Sequence, residues 1–127
     1  MKEPAWIGLP ETLMLHDMQM AAFGGAAGVR DRGLLESALA RPRHLLLYER
    51  TKPSLERLAA AYAFGIVKNH PFVDGNKRTG MVVAFVFLDL NGIEMNASEE
   101  DAYQTFMDLA SGRLSEKELA EWMRLNR

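Results

Sequence analysis

The sequence predicts an all-α protein, a single compact domain over residues 1–127 with about six helices. Apolar residues recur at helical spacing in segments that begin at capping residues and end at glycine, asparagine or proline. The strongest strand-like run, residues 82–87, lies inside a segment of helical length that ends at an Asn-Gly pair. Because no second run of that strength could pair with it, we interpret residues 76–90 as a helix.

The composition limits the classes of function. The chain has 127 residues, and 15 Lys and Arg against 17 Asp and Glu give a net charge of -2, which argues against direct nucleic-acid binding. Cysteine is absent, so disulfides, thiolate catalysis and cysteine-based zinc sites are excluded. No apolar run approaches the roughly 20 residues of a membrane span, and no apolar signal core follows Met1. We therefore expect a cytoplasmic protein without membrane contact.

The first two helices are predicted from their ends. A Pro-Glu pair at residues 10–11 opens a helix, and a Gly-Gly pair at residues 24–25 stops it. The apolar stripe predicted for this helix comprises Leu13, Met14, Met18, Ala21 and Ala22. Asp31 is a good N-cap for a second helix over residues 32–41, which we expect Pro42 to end.

Two stretches are less determined. The glycine-rich segment, residues 24–30, could cradle a phosphate, but its spacing matches neither a P-loop nor a dinucleotide fingerprint. We interpret it as a helix stop followed by a turn. Residues 43–53 could form a helical turn, a short edge strand, a flap over a site or a packed connector.

The remaining helices frame one loop. A serine caps a helix that ends near Asn69, because Pro71 disfavours helical geometry at His70. The helix of residues 76–90 is apolar nearly all round, so we expect it to be central and buried, with its N-terminus facing residues 70–75. Two amphipathic helices follow, each opened by a serine with an acidic residue three positions later.

The loop and the start of the next helix concentrate the polar chemistry of the chain. Lys77 and Arg78 lie in the first helical turn, where the macrodipole opposes each cation by roughly 0.3–1 kcal/mol unless an anion is bound. Gly75 would let the backbone approach such a ligand closely. Asp74 could neutralise the two cations or hold a magnesium ion that bridges phosphate oxygens. Since histidine titrates near neutral pH, His70 is a natural general base toward a hydroxyl.

Residues His70 to Thr79 contain a nine-residue stretch, His70 to Arg78, that resembles the signature of the Fic/Doc family, His-Pro-Phe-x-(Asp/Glu)-Gly-Asn-(Gly/Lys)-Arg. The whole chain resembles the small Doc toxins of bacterial toxin–antitoxin pairs, with support from its length, from His16-Asp17 and from the glycine-rich segment. The resemblance implies an all-α fold in which the motif joins two central helices. It also implies ATP and Mg²⁺ as cofactors.

By position, the resemblance assigns a role to each motif residue. His70 would be the general base, and Asp74 would be the magnesium ligand. The residues implied to hold nucleotide phosphates are Gly75 through its backbone amide, Asn76, Lys77 and Arg78. Phe72 would be buried and hold the loop in place, and residues 43–53 would form a flap that positions the target protein.

Two departures from the AMP-transferring members of the family bear on the reaction. Those members have glycine where this chain has Lys77, and a second arginine where it has Met81. The resemblance therefore implies that the γ-phosphate is presented and that the protein is a kinase acting on a Ser or Thr hydroxyl. AMP transfer, and a catalytically silent module that binds a nucleotide or a partner, are the alternatives.

The resemblance also implies two protein partners. One is a translation factor similar to elongation factor Tu, whose modification would arrest growth. Self-restraining members carry a (Ser/Thr)-x-x-x-Glu-(Gly/Asn) helix, and no Glu in this chain precedes Gly or Asn. Restraint would then come from the second partner, a separate antitoxin whose helical tail lies in an apolar groove.

Overall fold

The computed structural model describes residues 3–127, and in this range the chain folds into six α-helices. Their bounds are α1 Leu9–Phe23, α2 Arg32–Tyr48, α3 Leu55–Asn69, α4 Asn76–Leu90, α5 Glu99–Ser111 and α6 Glu116–Leu125. Extended pairing within residues 3–127 is limited to one isolated antiparallel bridge between Val29 and Phe72. The prediction of an all-α fold with about six helices is confirmed.

Helix α3 is the centre of the packing, with α2, α4, α5 and α6 around it, while α1 packs on α4. Small residues let the neighbours approach closely. A Cβ on Gly65 of α3 would lie 3.0 Å from the Cα of Ala38 in α2, and one on Gly80 of α4 would lie 3.0 Å from Val67 of α3. Helix α4 is buried where it meets α3 and partly buried on much of its other side, so the expectation of a central, buried helix is met on the side toward α3, which is itself the more central helix. The flanking helices cover that side only in part.

Helix α2 does not end at Pro42 as predicted but continues to Tyr48. An internal proline removes one helical hydrogen bond and costs about 3 kcal/mol. Pro42 is buried, however, and Leu45 and Leu46 beyond it pack against the core. Burying a leucine contributes about 1.5–3 kcal/mol, so the packing of these side chains offsets the lost bond. Only residues 49–53 of the undecided stretch are irregular backbone.

The predicted apolar stripe of α1 was wrong except at Leu13, which is half-buried and packs against the core. Met14, Met18, Ala21 and Ala22 are exposed, whereas the buried residues of this helix are Thr12 and His16. The buried side of α1 covers the polar loop that precedes α4, and His16 on that side contacts the loop. Helical periodicity identifies an apolar face but does not say which face meets the rest of the protein.

The segment before α1 is fixed to α3 by a buried tyrosine. The Tyr62 hydroxyl accepts from the N–H of Ile7 at 2.9 Å and donates to its carbonyl at 3.0 Å. Tyr62 is fully buried, and this burial raises the pKa of its hydroxyl above the ordinary value of 10.0. The segment before α1 therefore packs against the body of the protein.

Side-chain caps begin four helices where the sequence predicted them. The N-cap residues whose side chains accept a backbone N–H bond are Asp31, Ser54, Ser98 and Ser115.

In the described residues 3–127, none of the helices is both long enough and apolar enough to cross a bilayer.

We expect Tyr62→Phe to lower the free energy of unfolding by about 1–3 kcal/mol, because it leaves buried backbone groups of Ile7 without a partner. The folded state holds the Tyr62 proton more tightly than the unfolded state, so this stabilisation is complete below pH 10 and is lost as the pH rises above it. Urea denaturation of both proteins across this range should show the difference between them shrinking with pH. A difference that stays constant would contradict the assignment.

Candidate active site

The motif loop, residues 70–75, joins α3 to α4 through two left-handed residues. His70 caps α3 with φ 54° and ψ 51°, and within residues 3–127 it is the only non-glycine residue with positive φ. Gly75, with φ 79°, starts α4. A left-handed conformation at a residue with a Cβ costs about 1–3 kcal/mol, so neighbouring contacts must hold His70 in place.

The Asn76 side chain supplies one such contact from inside the loop. Its Oδ1 accepts from the N–H of Phe72 at 2.9 Å, and its Nδ2 donates to the Phe72 carbonyl at 3.0 Å. The same Nδ2 lies 3.1 Å from Nδ1 of His70. Asn76 is buried and Phe72 is completely so. The amide therefore fixes the loop and orients the imidazole, and its two N–H bonds are both used in doing so.

Helix α1 supports the loop from beneath. The His16 imidazole stacks on the Phe72 ring with centroids 3.9 Å apart and an angle of 6° between the planes. Nε2 of His16 donates to the Asp74 carbonyl at 2.9 Å. Asp17, which the sequence paired with it, has a side chain that is 77% exposed. His16 is thus part of the support of the loop, and Asp17 faces solvent.

The glycine-rich segment docks along the outer side of the motif loop. The backbone N–H groups of Arg30 and Asp31 donate to the Pro71 carbonyl, and the N–H of Val73 donates to the Gly28 carbonyl at 3.1 Å. The segment stops α1 at Gly24, as predicted, and then makes a short backbone pairing with the loop. The backbone N–H groups of Ala26 and Arg30 in this segment thus donate to groups of the motif loop.

Arg30 is a residue that the sequence argument left without a role. Its guanidinium donates to the carbonyls of His70 at 2.7 Å and Asn69 at 3.0 Å. These carbonyls close the C-terminal end of α3, where the helix macrodipole favours a cation. Arg30 is the last residue of the glycine-rich segment. Its local sequence does not indicate this contact, because the contact joins positions 40 residues apart.

Two backbone amides hold the Asp74 carboxylate. Oδ1 accepts from the N–H of Gly75 at 2.8 Å, and Oδ2 accepts from the N–H of Ala26 at 3.2 Å. Of the two possibilities left open for Asp74, neutralising Lys77 and Arg78 is not what the structure has: no ion pair joins it to either residue in the described chain. Each carboxylate oxygen keeps lone pairs for a further ligand.

The two cations at the start of α4 extend in different environments. Lys77 is exposed, while Arg78 is half-buried with its guanidinium carbon 3.8 Å from the ring centroid of Phe23. Such stacking contributes about 0.5–1 kcal/mol at an exposed site and fixes the direction of the arginine. Phe23, the last residue of α1, is a site residue that the sequence argument missed.

All six predicted site residues line one cavity of about 450 Å³. The polar half of its lining consists of His70, Asp74, Gly75, Asn76, Lys77 and Arg78. The apolar half comes from α1, α4 and α5 and consists of Met20, Phe23, Met81, Tyr103, Phe106 and Met107. A cavity lined by both cations and apolar, partly aromatic side chains suits a ligand that carries an anionic group and an aromatic group.

The site fits a magnesium ion only in company with a phosphate ligand. Within residues 3–127, no three His, Asp or Glu side chains converge as a ready-made metal site. Mg²⁺ is commonly held by one or two carboxylates together with substrate phosphates and water. The Asp74 carboxylate, at the mouth of the cavity, meets that requirement.

Comparison with known protein families and proteins gives consistent matches. The profile of the Fic/DOC family matches residues 6–88. The "Protein kinase doc" of Escherichia phage P1 is 32% identical over 114 residues, which cover 90% of this chain and 89% of that protein. The "Toxin Doc" of Mycolicibacterium smegmatis is 45% identical over 76 residues, 60% of this chain and 58% of that protein. The chain thus spans less than two thirds of the latter relative's length.

We expect Asn76→Ala to lower the free energy of unfolding by about 1–3 kcal/mol, because it strands the buried N–H and C=O of Phe72. Asn91→Ala is the matched control. The Asn91 amide makes the same pair of bonds to the N–H and C=O of Ala5, which is exposed so that water can replace them, and its third bond is to the Phe87 carbonyl, as the third bond of Asn76 is to His70. Urea denaturation should show the larger loss for Asn76→Ala, and equal losses would contradict the role of burial.

Proposed function

The chain belongs to the Fic/DOC family, and on that premise we propose that it is the toxin of a toxin–antitoxin module, transferring the γ-phosphate of ATP to a protein hydroxyl. The observation that carries the proposal is the cavity where His70, Asp74, Lys77 and Arg78 meet at the N-terminus of α4. The names of the two relatives, a toxin and a protein kinase, support the same class of reaction.

The nucleotide phosphates would bind at the N-terminus of α4. There the helix has unpaired N–H groups and the positive end of its dipole. Lys77 and Arg78 add two charges that no carboxylate in the described part of the chain pairs with. An anion at this point adds attraction and also relieves repulsion, which favours a polyphosphate over a neutral ligand.

Asp74 would hold Mg²⁺ together with phosphate oxygens of the nucleotide. When bound, the ion would neutralise charge on the phosphates during transfer. The apolar half of the cavity, with Phe23 and Tyr103 among its aromatic side chains, would receive the adenine ring. In this arrangement the phosphates would contact the polar lining and the base would contact the apolar lining of one cavity.

His70 would act as the general base. The target hydroxyl oxygen would form a bond to the γ-phosphorus, the bond to the β–γ bridging oxygen would break, and ADP would leave. The hydroxyl proton would pass to the imidazole. Because Nδ1 accepts from Asn76 in this structure, the neutral ring carries its proton on Nε2. We therefore expect the exposed imidazole to exchange the Asn76 bond for one to the substrate before it takes the proton.

Two residues favour phosphate transfer over AMP transfer. Lys77 stands where AMP-transferring members have glycine, and Met81 stands where they have a second arginine. Met81 lies on the cavity wall and offers no charge to a distal phosphate there. The nucleotide would then lie with its γ-phosphate toward His70. The target would be a translation factor similar to elongation factor Tu, and its modification would stop growth.

The partner that restrains the toxin would be a separate antitoxin with an amphipathic helical tail. Helix α1 offers a face for such a tail, because exposed apolar residues lie along the side of the helix opposite its buried Thr12 and His16. They are Met14, Met18, Ala21 and Ala22. Met14 and Met18 are each 56% exposed, and methionine-rich surfaces adapt well to apolar helices.

Incubating the protein with ATP, Mg²⁺ and purified elongation factor Tu should add one phosphate to the factor, detected by mass spectrometry of the intact protein. His70→Ala should reduce the rate of transfer by about 10²–10⁴-fold, the usual contribution of a general base, and should abolish growth arrest on expression.

Lys117→Ala is the control, since Lys117 is exposed on α6 and lies outside both the cavity and residues 43–53. A gain of AMP instead of phosphate would contradict the kinase. Tight ATP binding by calorimetry with no transfer to any translation factor would indicate the silent binding module. Unchanged toxicity of His70→Ala would refute the assignment of the base.

Met18→Glu should release the toxin from its antitoxin, because a carboxylate on the apolar face of α1 would oppose docking of an apolar helix. Co-expression with the antitoxin should then no longer rescue growth, whereas Leu125→Glu, at a 67% exposed position on α6, should still be rescued. Rescue of both variants alike would place the antitoxin elsewhere.

A further inference from the structure

We propose that His16 is a positioning residue for the transfer: its buried imidazole holds the Asp74 peptide and thereby aims the Asp74 carboxylate at the cavity. The inference rests on the proposed function, since the direction of this carboxylate matters only if Asp74 serves a bound nucleotide. His16 touches neither the cavity nor any group that reacts, so its effect passes through Asp74.

Two sides of the imidazole face the motif loop. Nε2 donates to the Asp74 carbonyl at 2.9 Å, a direction that is certain because a carbonyl can only accept. One ring face lies flat on Phe72, with centroids 3.9 Å apart. The other nitrogen, Nδ1, is 3.9 Å from the exposed Asp17 carboxylate, too far for a hydrogen bond. The polar contact that orients His16, which is 2% exposed, is therefore the one to the loop.

The Asp74 carbonyl is joined to the carboxylate through one rigid unit. The carbonyl of Asp74 and the N–H of Gly75 belong to the same planar peptide and point in opposite directions. That N–H donates to Oδ1 of Asp74 at 2.8 Å. When His16 holds the oxygen side of the peptide, it fixes the N–H side as well. The carboxylate, which accepts a hydrogen bond from this N–H, is thereby fixed as well.

The peptide would otherwise be easy to rotate. It ends at Gly75, whose φ of 79° is one of many that glycine can adopt. Gly75 also packs near His16, because a Cβ there would lie 3.7 Å from Nε2. The remaining tether on the carboxylate is the N–H of Ala26 at 3.2 Å, which belongs to the surface segment of residues 24–30. His16 thus supplies the buried hydrogen bond that holds the Asp74 peptide.

Two substitutions separate the hydrogen bond from the packing. His16→Phe keeps a flat ring against Phe72 but removes the donor. His16→Gln loses the ring but keeps an amide nitrogen that can reach the Asp74 carbonyl. If the bond positions Asp74, the glutamine variant should resemble the wild type and the phenylalanine variant should not. If His16 only packs, the order should be reversed.

The first measurement needs no catalysis. Amide hydrogen exchange by NMR should be faster at Gly75 in His16→Phe than in the wild type or His16→Gln. Gly92 is the internal control, because its N–H bonds the Asp89 carbonyl at 3.1 Å, away from the loop. Unchanged exchange at Gly75 in a folded His16→Phe would overturn the proposal.

The second measurement is the Mg²⁺ dependence of phosphate transfer. The Mg²⁺ concentration for half-maximal rate should rise about 10- to 100-fold in His16→Phe, the usual loss when the support of a metal ligand is removed, and should stay near the wild-type value in His16→Gln. Equal losses in both variants would overturn the proposal. If His16→Phe does not fold, His16→Met replaces it, and failure of both to fold would show a role in folding instead.

The two measurements also separate this proposal from the proposed function. A wild-type protein that transfers no phosphate, with Gly75 exchange responding as expected, would refute the kinase and leave the hold of His16 on Asp74 intact. Transfer that is present, with Gly75 exchange and Mg²⁺ dependence insensitive to His16→Phe, would refute the role of His16 alone.

Discussion

One buried side chain holds the motif loop in the shape on which the whole cavity depends. The Asn76 amide pairs with both backbone groups of Phe72, as a neighbouring strand would, and also reaches the His70 imidazole. Phe72 is fully inside the protein, so water cannot take over these bonds. The His70 imidazole, the Phe72 backbone and the first turn of α4 are therefore placed by a single group.

The loop is also held from outside by segments that are distant in sequence. His16 comes from α1, and Arg30 with its neighbours comes from the turn before α2. Arg30 places a cation on the carbonyls at the end of α3, while Lys77 and Arg78 place two more at the start of α4. The dipole of α3 favours the first cation, which is hydrogen-bonded to the carbonyls. The dipole of α4 opposes the other two cations, which a bound anion would stabilise. Charge that is unfavourable in the free protein becomes favourable with a bound phosphate.

What could be predicted from the sequence was what depends on local chemistry. Caps, stops and the length of α4 follow from neighbouring residues, and the six residues predicted for the site line one cavity because they are nearly contiguous in the chain. The course of α2 through Pro42 and the buried face of α1 could not, because both are decided by packing against other helices. For the same reason the contacts of Arg30 and Phe23 had no local signal. Nothing in their immediate sequence distinguishes them from ordinary surface residues.

The apolar wall that α5 contributes to the cavity has a consequence for how proteins of this kind can diverge. The family profile ends at residue 88, before α5 begins, and the hydrogen bonds that hold the motif loop involve none of its side chains. Substitutions at Tyr103 or Met107 would reshape that wall while leaving the loop intact. The motif loop and this wall are thus separate parts of the cavity lining, and substitutions in α5 could change which small molecules the cavity accepts without disturbing the loop.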